Sequence, residues 1–438
     1  MKNLVQLSLL TLAFWLVVTP NTMAQNQLPV LQNVKAVVDT VQRQVTITYD
    51  LTDDDETVVI SVQLANADGY RINLTDSQGD IGYQTSGKGK QIIGRYTDAA
   101  WLRKKGAIRL IANDRQKALV SDLLAAVDTN RIKQNTQLVY GMRDHETKAG
   151  IQHLAEVRKT VADQFRRGQF VTTRAPFAWQ KHPGENVVGT KEGLGEQPKT
   201  YVIGAHMDAA KGSPGGDDNA TGVAGLLEVM HALSAYEFKH RIVVVGFDLE
   251  EIGFMGSQFF VKDALRRKET IGGMINYDMI GMYSERPKTQ FIPPGFDGLF
   301  PEVAAMVAKD AYRGNFLICT ANTSSEELGR TFRESARQHV PSLKVASLVA
   351  LENGEMTPTL AASDHASFWK AGIQALHIGD GGETRNPKLN TPADNLDGLS
   401  YRFAGQTVQA TLATLAQLAQ MQHCAVATTE VSFSTPTN

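Results

Sequence analysis

Two strand-length apolar runs, Tyr201–Ala205 and Ile242–Phe247, lead into side chains that seek metal ions. The first runs straight into His206-Met207-Asp208, and the second reaches Glu250-Glu251 after Asp248-Leu249. Between them lie the glycine-rich Gly215-Gly216-Asp217-Asp218 and a helical pattern, and a third run, MINY, ends at Asp278. Near-continuous apolar strands alternating with helices point to a largely parallel sheet covered on both faces. In such sheets ligands gather in the crevice outside the carboxyl ends of the strands. Groups far apart in sequence can therefore converge there.

Period and turn signals extend this α/β reading over residues 138–425. Strands are expected at Tyr201–Ala205, Ile242–Phe247, Met274–Tyr277, Val345–Ala350 and Ala375–Ile378. Helices are expected at about Glu146–Arg167, Ala220–Tyr236, Ser257–Arg267, Pro301–Tyr312, Ser325–Gln338 and Tyr401–His423. Ser324 and Glu327 form a capping-box pattern at the start of the fifth.

Upstream the period changes to two. Val45, Ile47, Tyr49 and Leu51 alternate with Thr46, Thr48 and Asp50, and Ile60, Val62 and Leu64 alternate with Ser61 and Gln63. Residues 25–114 thus read as a small all-β sandwich, like an immunoglobulin or fibronectin module. That unit contains no histidine and nothing that reads as catalytic. Residues 115–137 read as a linker and 426–438 as a polar tail.

Lys2 precedes an apolar run from Leu4 to Val18 that ends in Thr22-Met23-Ala24, the layout of a signal peptide over residues 1–24. The expected location is secreted or periplasmic. With 44 Lys and Arg against 46 Asp and Glu, no basic face invites nucleic acid or, once the leader is cut, a membrane. Cys319 and Cys424 could form a disulfide or remain two buried thiols.

Imidazole nitrogen and carboxylate oxygen are zinc donors, and a catalytic zinc keeps one position open. Asp217, in its glycine-rich loop, could bridge two ions. Asp208 could accept a hydrogen bond from the His206 ring nitrogen that does not face the metal. The adjacent acids Glu250 and Glu251 suit a division between metal ligand and general base. Taken singly, each cluster reads as a turn, a helix cap or a solvated loop. Their joint position at strand exits favours the metal.

Five motifs in order carry a family resemblance: AHMD at 205–208, GGDDNATG at 215–222, LEEIGFMGS at 249–257, NYDMIG at 276–281 and SDHASF at 363–368. From Leu138 to His423 the chain resembles the co-catalytic zinc aminopeptidases of the secreted bacterial leucyl-aminopeptidase type, relatives of glutamate carboxypeptidase II and glutaminyl cyclase. The resemblance implies two zinc ions. His206 and Asp278 would hold one, Glu251 would help hold the other, and Asp217 would bridge them. Glu250 would be the general base, taking a proton from a metal-activated water and passing it to the leaving amine. The implied substrates are peptides with a free N-terminus. A cis peptide bond is implied between Asp217 and Asp218.

The family's last ligand is a histidine, and Asn390 stands in its position in Asn390-Thr391-Pro392-Ala393-Asp394. An amide oxygen is a weaker zinc donor than imidazole. The ion near Glu251 and Asn390 is therefore expected to be weakly held or absent, while His365 and His377 are not expected to be ligands. Two other readings remain open: a single-zinc aminoacyl (glutaminyl) cyclase and a peptide-binding homologue without turnover.

Overall fold

The computed structural model describes residues 27–433 apart from 55–56, 67–70, 103–105, 116–117 and 196. The expected signal peptide lies outside the described residues.

The α/β unit is built on an eight-stranded sheet. In spatial order its strands are Val345–Ala350, Leu317–Asn322, Ala375–Gly379, Ile271–Tyr277, Thr200–His206, Arg241–Phe247, His182–Lys191 and Val171–Trp179. Thr200–His206 lies at the centre, parallel to both Arg241–Phe247 and Ile271–Tyr277. The edge hairpin 171–191 and the pairing of Leu317–Asn322 with Ala375–Gly379 are antiparallel, so the sheet is mixed but largely parallel. That agrees with the expected fold class. Three of these strands, Val171–Trp179, His182–Lys191 and Leu317–Asn322, were not expected from the sequence.

Every residue of Thr200–His206 is buried because both faces of the sheet are covered. Ile203 and Ile242 join a core with Val161, Val223 and Leu412, from helices Lys148–Arg167, Ala220–Leu233 and Tyr401–Leu418. Val202 and Val243 point the other way, to Phe260 and Phe368 on helices Met255–Arg266 and His365–Lys370. Successive strand residues face opposite sides, which is why these runs are apolar at every position. Each such fully buried Val or Ile contributes about 1.5–3 kcal/mol.

Local capping sets where the helices begin. The Asn219 side chain accepts from Gly222 N at 3.0 Å and starts Ala220–Leu233 at the metal-seeking loop. The Ser324–Glu327 capping box does not form at Glu326–His339, because a 3-10 turn over Thr323–Ser325 precedes that helix. Asn322 caps that 3-10 turn, accepting from Ser325 N at 3.0 Å.

The β unit packs two sheets around Val45, Ile47, Tyr49, Ile60, Leu64 and Trp101. The expected polar tail takes part in both: Cys424–Glu430 pairs antiparallel with Ala107–Asn113, and Ser432–Phe433 pairs with Val30–Asp39. Its small and polar residues suit a strand with one half-exposed face. The expected linker is likewise structured, as helices Val120–Ala125 and Thr129–Val139. Leu123, Leu124 and Ile132 enter the α/β core, and Arg131 bonds the fully buried Glu228 at 2.7 Å. Cys319 and Cys424 are both buried free thiols. Among the described residues no helix is long and apolar enough to cross a membrane.

Candidate metal centre

The parallel register brings the carboxyl ends of three strands level. Gly204 pairs with both Val245 and Asn276, so His206, Asp278 and the loop after Phe247 leave the sheet on one rim. His206 Nε2 lies 3.2 Å from Asp218 Oδ1 and 3.4 Å from Asp278 Oδ1. His206, Glu250 and Glu251 form an overlapping group, with ligand atoms within 4.8 Å of one another in each set. His206 is 1% exposed, Asp278 5%, and Asp218 and Glu250 7%, so water screens these charges poorly.

Electrostatics registers that crowding. Burial, followed by the charge of Asp218, pushes the Glu251 carboxyl up to about 8. Burial likewise raises Glu250 well above the carboxylate range, against the pull of His206 and with Asp278 adding to the rise. For His206 burial works downward, but Glu250 and Asp278 outweigh it and raise the imidazole well above its ordinary value. Burial also works against Asp278, yet His206 holds its carboxyl below the usual range. Glu251 Oε1 is buried and has no hydrogen-bond partner among the described residues. Acids crowded this closely need protons or a cation between them. One imidazole and several carboxylate oxygens suit zinc.

Asp217 was expected to face this group, but it is Asp218 that does. Asp217 Oδ1 accepts from Gly281 N at 3.1 Å, and its Oδ2 accepts from Asn386 Nδ2 at 3.3 Å. Burial and the nearby Asp380, Asp394 and Asp218 push its carboxyl well above the carboxylate range. The Asp394 carboxylate pins the turn, accepting from the Asp217 and Asp218 amides at 3.2 Å each. In that turn the two neighbouring side chains project to opposite sides. The cis peptide bond is Asp218-Asn219, one residue later than expected.

Asp208 is close to His206 but supports more than the imidazole. His206 Nδ1 is 3.2 Å from the Asp208 backbone oxygen and 3.6 Å from the carboxylate. That carboxylate accepts from Glu250 N at 3.2 Å and Glu251 N at 3.1 Å, and His145 Nε2 lies 3.1 Å away. Burial would raise its pKa, but the hydrogen bond from His145 and the adjacent His206 imidazole hold it well below the usual range.

Asn390 is exposed, with φ of 55°. Its loop reaches the centre through Asn386 and Asp394 instead. His365 is buried with Nε2 2.8 Å from Leu360 O, and burial pushes its imidazole down to about 3. His377, on the strand Ala375–Gly379, is likewise lowered by burial and is in no cluster of candidate ligands among the described residues.

Three supporting residues went unrecognised in the sequence. Arg143, fully buried, donates to Met207 O at 2.9 Å, Pro214 O at 2.7 Å and Gly215 O at 3.0 Å, gripping the loop between His206 and Asp218. Neither it nor His145 belongs to a periodic pattern or motif that could have marked it. Asp364 did lie in a quoted motif; burial pushes its carboxyl up to about 7 within the field of His206.

The model of peptidase family M28 matches residues 186–415. The uncharacterized protein YfbL of Escherichia coli K12 is 28% identical over 222 residues, covering 48% of this chain and 64% of that protein. Aminopeptidase YwaD of Bacillus subtilis is 25% identical over 244 residues, covering 54% of this chain and 45% of that protein. The chain thus spans less than two thirds of either relative. The crystal structure of LapB from Legionella pneumophila superposes with a TM-score of 0.52 at 21% identity, covering 68% of this chain and 74% of that one. That likeness is one of fold.

Proposed function

Because the chain belongs to peptidase family M28, we propose that it is an exported zinc-dependent aminopeptidase that hydrolyses the N-terminal peptide bond of peptides. The observation that carries this reading is the buried convergence of His206, Asp218 and Asp278 beside Glu250 and Glu251. Export rests on the leader pattern of residues 1–24.

His206, Asp218 and Asp278 would hold the first ion, with Asp218 shared towards a second at Glu251. Bound zinc supplies Lewis-acid polarisation of the scissile carbonyl and lowers the pKa of water towards about 7. Glu250, buried beside these candidate ligands, would act as general base, taking a proton from the activated water and passing it to the leaving amine. The neutral free amine of the substrate would be a donor to a cation held at Asp218 and Glu251, which favours cleavage at the N-terminal residue. With Asn390 exposed, a second ion would find fewer protein donors than the first and would be held more weakly.

The test is metal analysis after dialysis, paired with hydrolysis of a leucyl chromogenic amide. One tightly bound zinc and release of the chromophore are expected. No zinc and no hydrolysis, even with zinc or cobalt added, would overturn the proposal, as would pyroglutamate formation from an N-terminal glutamine in place of hydrolysis.

A further inference from the structure

Three segments far apart in sequence meet behind the metal centre: Arg143–His145, His206–Asp208 and Asp248–Glu251. The Asp208 carboxylate joins them. Its Oδ1 accepts from Glu250 N at 3.2 Å, and its Oδ2 accepts from Glu251 N at 3.1 Å and faces His145 Nε2 at 3.1 Å. A carboxylate oxygen only accepts, so Nε2 is the donor in this contact. We propose that His145 is a positioning residue for Glu250 and Glu251, acting through the Asp208 carboxylate. This rests on the aminopeptidase reading for its consequence in catalysis.

The geometry gives His145 leverage. A carboxylate turns about its Cβ–Cγ bond as one rigid plane, so a third donor on Oδ2 also fixes Oδ1 and the Glu250 amide bound to it. His145 is itself held at both ends. Asp144 closes the turn before the next helix, accepting from Glu146 N at 2.9 Å and Thr147 N at 2.7 Å, which sets the backbone on either side. On the ring side, Asp248 Oδ1 lies 3.6 Å from Nε2, and Arg158 anchors the other Asp248 oxygen at 2.6 Å. The His145 side chain is only 6% exposed, which leaves little room for other rotamers.

The brace comes from outside the family match, since residues 143–145 precede the matched segment 186–415. A partner of this kind behind a metal site is worth about 10- to 100-fold in metal affinity or activity. A base displaced by about 1 Å loses on the order of 100-fold.

The test compares wild type with His145→Ala, His145→Gln and His145→Asn. Peptide-resolved amide exchange across 248–253 is read on the chelated proteins, and zinc affinity, kcat and KM on the reconstituted ones. In His145→Ala, exchange at Glu250 and Glu251 accelerates while the rest of the sheet keeps its protection. Its kcat falls about 10- to 100-fold with little change in KM. Gln, whose amide reaches Asp208, restores most of both, and Asn, one methylene shorter, does not. Should the Ala variant fail to fold, the Gln and Asn pair carries the same contrast. Wild-type exchange at 248–253 in His145→Asn would overturn the proposal, as would a uniform loss of protection that Gln does not rescue. Exchange on chelated protein is independent of turnover, whereas failure of the aminopeptidase reading appears as absent zinc uptake and hydrolysis in wild type.

Discussion

Asp218 Oδ1 stands 3.2 Å from His206 Nε2, while the adjacent Asp217 turns its carboxylate to Gly281 N and Asn386. Two identical neighbours in one loop therefore have opposite surroundings. Asp218→Asn should weaken zinc binding by at least the roughly 10- to 100-fold expected for a supporting partner, because it replaces a direct donor. Asp217→Asn keeps an oxygen for Gly281 N and should retain zinc stoichiometry. Calorimetric zinc titration of both variants decides between them, and equal losses would refute the assignment.

Glu250 is buried beside His206 and Glu251, and its backbone amide is fixed by Asp208. Glu250→Gln should lower kcat about 10²- to 10⁴-fold while bound zinc stays at the wild-type level. Loss of metal in that variant would make Glu250 a ligand instead of the base.

The metal-free centre should also leave a signature in stability. Glu251 is raised to about 8 and Asp364 to about 7, both above their unfolded values. The folded chain therefore keeps protons that the unfolded chain releases. Stability from this source is fully present below the unfolded pKa values of 4.5 and 3.8 and is lost as pH rises through 7 and 8. The melting temperature of chelated protein should fall over that window relative to zinc-loaded protein, in which a cation compensates the carboxylates. Parallel melting curves with and without chelator, from about pH 5 to 8.5, measure it; a constant offset would count against it.

Asn390 is exposed with φ of 55°, on a loop whose inward contacts come from Asn386 and Asp394. Asn390→Ala should therefore leave the affinity of the tighter zinc unchanged. A drop seen by competition with a fluorescent chelator would put Asn390 on that ion.

Removing residues 424–438 should destabilise the β unit first. Ala107–Asn113 would lose its Cys424–Glu430 neighbour, and the core around Trp101 and Leu110 would open on that side. Limited proteolysis of the truncated protein should cut within residues 30–113 before it cuts the α/β unit.

The sequence made the catalytic half legible through strongly apolar strands. Val345–Ala350 matches its expected bounds, and Thr200–His206 and Arg241–Phe247 are within one residue at each end. Val171–Trp179 escaped because an edge strand with Thr172, Thr173 and Arg174 on open faces has neither an apolar run nor clean alternation. The exchange of Asp217 for Asp218 has a different origin. Composition and spacing are the same for both, and the turn pinned by Asp394, some 176 residues away, decides which carboxylate faces His206. His145 and the strand Cys424–Glu430 likewise take their meaning from partners distant in the chain, at Asp208 and at Ala107–Asn113.

The antiparallel seam between Ala107–Asn113 and Cys424–Glu430 ties the α/β unit off at a neck. The 310 residues from 114 to 423 leave and return through two strands about 4.8 Å apart, which makes the peptidase unit an insert within the sandwich. During synthesis Ala107–Asn113 waits with one side unpaired while the whole insert is made. An open strand edge is a template for other chains, so closing the seam covers this side of Ala107–Asn113 and passes the sheet's edge to Cys424–Glu430.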